Sequence, residues 1–121
     1  MSQSLLRTVI IICALVTGVV HLALGVGGIA GGRVDTFSIL FVLNGLGFIG
    51  LLAALFLPNV PFFASNHSLT HFLMIGFAAV TLVLYFVING VDIAGMGVAA
   101  IAAKVAELLL VIATFLHLRA K

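Results

Sequence analysis

Four apolar runs occupy 90 residues of this 121-residue chain: Leu5 to Val26, Thr36 to Leu57, Leu69 to Asn89 and Ala94 to Leu118. At about 1.5 Å of rise per residue, a helix of each length reaches about 30 Å or more, enough to cross the hydrocarbon core of a bilayer. Lipid offers no hydrogen bonds, so a spanning segment must satisfy its own backbone, which isolated apolar strands cannot do. Each run is therefore expected to be a transmembrane helix.

The breaks between the runs carry turn chemistry. Glycine-rich Gly25 to Gly32, followed by Arg33-Val34-Asp35, reads as the first turn. Pro58 and Pro61 frame the second, and Asn89-Gly90-Val91-Asp92 makes a tight third. Ser65-Asn66-His67-Ser68 offers capping side chains ahead of the third helix. Short links force successive spans to run in opposite directions. The expected fold is all-α: one transmembrane domain over residues 1–121, an integral membrane four-helix up-down-up-down bundle.

Composition closes off the soluble alternatives. Only 7% of residues are charged and 64% are hydrophobic, with a mean hydropathy of +1.47. A soluble domain carries about a quarter charged residues, so this chain has no surface suited to water. A net charge of +2 from five basic and three acidic residues leaves no footprint for a nucleic acid. The single cysteine, Cys13, has no disulfide partner and reads as a small buried apolar side chain. Gly25-x-Gly27-Gly28 follows a membrane span and no strand, so it reads as a turn and not as a phosphate loop. No nucleophile–base pattern or metal box occurs, and neither a catalytic residue nor a metal ligand is expected.

Arg7 and the apolar stretch behind it imitate a secretory signal. The stretch is too long for a signal core and lacks a small-x-small cleavage site, so it reads as a retained first span. Arg7, Arg119 and Lys121 share one end with both termini, while Arg33 stands at the other with Asp35 and Asp92. The positive-inside rule then puts both termini in the cytoplasm, with the protein in the cell membrane. In that orientation the Asn66-His67-Ser68 sequon faces the cytoplasm and goes unused.

Lys104 and Glu107 are the anomaly, one helical turn apart in the middle of the fourth run. A charge at that depth costs from about 3 to over 10 kcal/mol, so it needs a partner or a task. From the outer edge, His21 is expected at a depth of about 8 Å, Asn44 and Thr81 at about 12 Å and Tyr85 at about 6 Å. Lys104 and Glu107 follow at about 15 and 20 Å. Helical phase adds two stripes, Cys13-Thr17-His21 and His71-Met74-Ala78-Thr81-Tyr85-Asn89, which should face the interior. The expectation is one interior polar cluster of His21, Asn44, Thr81, Tyr85, Lys104 and Glu107.

Two readings of that cluster stay open. It is either a set of interhelical hydrogen bonds that fixes register, or an outward-facing pocket for a small polar ligand, a headgroup, a quinone or a proton. Towards the cytoplasmic side only His71 and Thr114 offer relays, which makes a full proton path weak. There His71 and His117 fall at similar depth on antiparallel neighbours, with His67 as a spare, so a pair of axial haem ligands is a further option. Such a haem would also need a planar slot, with Gly76 the only glycine near it and Phe115, Leu116 and Leu118 splayed.

Ala99-xxx-Ala103, Ala102-xxx-Ala106 and Gly50-xxx-Ala54, with Gly45 and Gly47, signal close helix packing. The strings Gly18-Val19-Val20-His21-Leu22 and Leu43-Asn44-Gly45-Leu46-Gly47-Phe48 are joined by Lys104-x-x-Glu107-Leu108-Leu109 before a basic tail. Together they resemble small uncharacterised four-span membrane proteins of archaea and bacteria. The resemblance implies a four-helix bundle and no activity. The paired cysteines of the vitamin K epoxide reductases are missing, as is the arginine- and glutamate-rich site of the eicosanoid and glutathione membrane proteins. The expected function is an accessory or scaffold subunit of a larger membrane complex, or a homo-oligomer, without catalysis of its own and without a cofactor. Its partners would be the lipid bilayer and other membrane subunits or further copies of itself. The alternative is a membrane carrier of a small ligand, quinone or b-type haem, using the polar cluster or His71 and His117.

Overall fold

A computed structural model describes residues 2–32, 34–57, 67–89 and 97–119. They form four helices: α1 (Gln3–Ala30), α2 (Thr36–Phe56), α3 (His67–Asn89) and α4 (Val98–Arg119). Each helix is long and apolar enough to cross a membrane. Two starts are capped as helix chemistry requires. The Ser2 hydroxyl accepts from the Leu5 amide at 3.1 Å, and Asp35 Oδ1 accepts from the Ser38 amide at 2.8 Å. Pro58, Pro61, Ser65, Asn66, Arg33, Lys121 and the turn from Gly90 to Asp92 lie outside the described residues, as does the expected start of α4 at Ala94.

One boundary differs in kind from its expectation. The glycine-rich stretch read as a turn is helical to Ala30, and the turn is confined to Gly31 and Gly32, the latter at φ 92°. Glycine weakens a helix by about 1 kcal/mol relative to alanine, and here packing overrides that preference. A Cβ at Gly25 would lie 2.7 Å from both the Ser38 carbonyl oxygen and the Val42 amide nitrogen of α2. A Cβ at Gly45 would lie 2.6 Å from the Gly18 carbonyl oxygen and 2.9 Å from the Leu22 amide nitrogen. The two helices pack backbone against backbone, and only glycine leaves room for it.

Helix α1 packs extensively on both α2 and α4, α3 packs on α4, and the seam between α2 and α3 is the thinnest of these four. Leu6, Ile10, Ala14, Phe48, Leu55, Met74, Ala78, Leu110 and Ala113 meet in the core. Phe77 of α3 sets its ring edge-on to Phe48 of α2, with centroids 4.7 Å apart. The outside is apolar on every helix: Ile12, Val19, Leu43, Leu46, Val83, Val87, Val105 and Ile112 are all exposed. Such a surface suits lipid and not water.

Candidate functional site

Three-residue spacing puts Lys104 and Glu107 on one face of α4, and that face is turned inward. Lys104 Nζ lies 2.9 Å from Glu107 Oε1 and 3.2 Å from Oε2, with the two side chains 9% and 0% exposed. The pair does not stand alone. Thr17 of α1 donates its hydroxyl to Glu107 Oε2 at 2.6 Å, a short charge-assisted bond. One turn further along α1, His21 Nδ1 lies 2.7 Å from the Thr17 carbonyl oxygen and 3.2 Å from its hydroxyl oxygen. A carbonyl only accepts, so Nδ1 carries the proton, and in the neutral ring Nε2 is left as an acceptor. Lys104 Nζ also sits 4.8 Å from the centre of the Tyr85 ring of α3.

The six residues expected in one cluster therefore divide. His21, Tyr85, Lys104 and Glu107 belong to the network that Thr17 joins. Asn44 of α2 instead donates Nδ2–H to the hydroxyl oxygen of Thr81 on α3 at 2.8 Å. Its Oδ1 is buried and has no partner. Thr17 is the residue that the cluster as read from sequence left out. It lay in plain view, four residues before His21 and in phase with it, but nothing in the sequence shows that α4 brings a carboxylate to that depth.

The two groups border the same space. A cavity of about 760 Å³ opens between α2 and α3, lined by His21, Asn44, Thr81, Tyr85 and Lys104 along one part. Apart from Asp35, the cap at the start of α2, the rest of its wall is apolar, including Phe37, Phe41, Phe72 and Phe77, and Gly76 faces open space. It lies on the seam between α2 and α3, where the two helices touch least closely among the adjacent pairs.

At the other end of the bundle, His71 of α3 and His117 of α4 are both buried and do come together. They meet in direct contact: Nε2 of His71 and Nδ1 of His117 are 2.8 Å apart, with the rings stacked at 13° and 5.0 Å between centroids. Axial nitrogens on opposite sides of an iron stand about 4 Å apart, at about 2 Å per bond, with the porphyrin plane between them. The pair shares a hydrogen bond instead, so this geometry does not fit haem ligation. Phe56 packs edge-on against His117, and the Thr114 hydroxyl nearby on α4 is buried without a partner. The side chains of His67 and Asn89 lie outside the described residues. Among the described residues no three of His, Cys, Asp and Glu converge as a metal site would need, and Cys13 is a buried free thiol.

Over residues 1–117 the chain matches the model of a family whose description is "family of unknown function (DUF7475)". No curated protein and no solved structure matches it.

Proposed function

The chain belongs to the DUF7475 family, whose description assigns no activity, and we propose from its own residues that it is a multi-pass membrane carrier of one small amphiphilic ligand. The ligand would lie in the cavity between α2 and α3 and undergo no covalent change there. The observation that carries this reading is the cavity itself. Its 760 Å³ lies within the range of about 300–1,000 Å³ for small-molecule sites, and its apolar walls converge on a few buried polar groups. A mere set of register-fixing bonds would close on itself and leave neither a space of that size nor an orphaned Asn44 oxygen beside it.

The membrane setting is part of the same reading. Gly25, near the end of α1, meets Ser38 near the start of α2, and His71 near the start of α3 meets His117 near the end of α4. These contacts support an up-down-up-down bundle. Arg7 and Arg119 then fall at one end with both termini, which supports a cytoplasmic placement in the cell membrane. An accessory or scaffold subunit, or a homo-oligomer, remains the competing proposal. Exposed apolar side chains occur on all four helices, so no single face is marked for a partner.

Native mass spectrometry in mild detergent tests both readings at once. The wild type is expected to retain one small-molecule mass per chain, and Gly76→Trp, which fills the cavity from an open position, is expected to lose it. Equal retention by both proteins, or a second protein chain in place of a small molecule, would overturn the carrier reading.

A further inference from the structure

The chemistry of the cavity wall narrows what it can hold. Charge comes first. The Lys104 ammonium is matched by both oxygens of a fully buried Glu107, so the pair presents no net charge to a ligand. A carboxylate or phosphate headgroup placed there would add a buried charge with no partner, and so would an amine. The ligand group that lies beside this pair is therefore neutral, and the one other charged side chain in the wall, Asp35, stands apart at the start of α2, where it caps the Ser38 amide.

Hydrogen-bond polarity comes next. His21 has given its one N–H to Thr17, which leaves Nε2 as an acceptor on a residue that lines the cavity. Asn44 has committed one of its two N–H groups to Thr81, and its buried Oδ1 accepts from nothing. The terminal torsion of an asparagine is soft, so a small turn brings that oxygen to the wall. Two acceptors without donors call for hydroxyl hydrogens from the ligand. A carbonyl has none to offer.

Shape supplies the last constraint. Five rings, those of Phe37, Phe41, Phe72, Phe77 and Tyr85, line the one cavity. Aromatic side chains in that density favour another ring, held offset or edge-on. Leu40, Leu73, Val80 and Leu84 continue the wall beyond the rings and suit an apolar tail. We propose that the cavity takes a neutral, ring-bearing lipid with hydroxyl donors, chemically a hydroquinone headgroup on an apolar tail, and prefers it over the corresponding quinone. The proposal rests on the carrier reading and specifies its ligand.

The test compares three probes on the purified protein in mild detergent without oxygen: a decyl-tailed benzoquinol, its benzoquinone, and dodecanoate. Titrations are run on the wild type and on Asn44→Leu. The quinol is expected to bind about tenfold more tightly than the quinone, the factor that one added hydrogen bond of ordinary strength supplies. In Asn44→Leu the preference is expected to shrink to about threefold or less, with quinone affinity unchanged. Equal or tighter binding of the quinone, tighter binding of dodecanoate, or a preference untouched by Asn44→Leu would overturn the ligand assignment while leaving the cavity a binding site. Failure of the wild type to bind any of the three overturns the hydroquinone class as well; the small-molecule mass retained in the native spectrum then decides separately whether the carrier reading survives. The wild-type comparison decides the matter alone if the variant does not fold.

Discussion

Helix α2 has two seams, and they were built by opposite means. Against α1 it offers Gly45 and meets Gly18 and Gly25, so backbones close to within contact of one another. Against α3 it offers Leu40, Phe41 and Asn44, which meet Phe72, Leu73, Phe77 and Thr81 around an open space. Lipid tails are as apolar as the side chains themselves, so no hydrophobic effect presses helices together in a bilayer, and packing and hydrogen bonds decide each seam. Small residues let the first seam close. On the second, the Phe77 ring closes over Gly47 at one level, and beside it bulky rings border a gap where the polar groups meet unfilled space. The closed side, α1 with α2 and α4, also carries the interhelical Thr17–Glu107 bond, so close packing and buried charge lie together behind the cavity wall.

Substitutions on the two sides should differ accordingly. The largest effect is expected at the ion pair. Lys104→Met alone should destabilise by about 3–5 kcal/mol, because it leaves Glu107 buried without its counter-charge. Lys104→Met with Glu107→Leu should recover most of that loss. Denaturant unfolding in mild detergent measures both, and equal stabilities for the single and double variants would defeat the ion-pair account.

A matched pair of glycine changes sharpens the contrast directly. Gly45→Val on the closed seam should cost about 1–3 kcal/mol or more, since its new carbons strike backbone atoms that cannot move aside. Gly76→Val on the open seam should stay within about 0.5 kcal/mol of the wild type, having open space to enter. Similar melting temperatures for the two variants would show that the seams do not differ as described. The smallest effect is expected for Thr17→Val, about 1 kcal/mol, since it removes one hydrogen bond from a carboxylate that keeps Lys104. A loss as large as that of Lys104→Met would make Thr17, and not Lys104, the main support of Glu107.

Much of this arrangement is legible in the sequence. Helical phase alone put Cys13, Thr17 and His21 on one buried stripe and His71, Met74 and Ala78 on another. The spacing of Lys104 and Glu107 announced their contact, because neighbours one turn apart on a helix meet whatever surrounds them. Gly25 to Gly28 misled for a physical reason: glycine marks both turns and close helix contacts, and local sequence does not say which. The division of the polar residues into an ion-pair network and a separate Asn44–Thr81 pair was also out of reach. It depends on which helices touch at which rotation, and side-chain type carries no record of that.

His71 and His117 show the same limit from the other side. Depth arithmetic brought them together correctly, yet 2.8 Å between their nitrogens is a hydrogen bond, and about 4 Å would have suited an axial pair. A difference of that size decides the chemistry and lies far below what counting residues resolves.

By itself, then, the order of residues determined four helices of bilayer length, the inward faces of three of them and the presence of a buried ion pair, because these follow from local periodicity and the cost of desolvated charge. Tertiary structure alone decided that Thr17 completes the network, that the histidines bond to each other and that a cavity opens between α2 and α3. Those outcomes depend on how closely two helices approach, and that distance is set by the side chains of both partners at the point of contact.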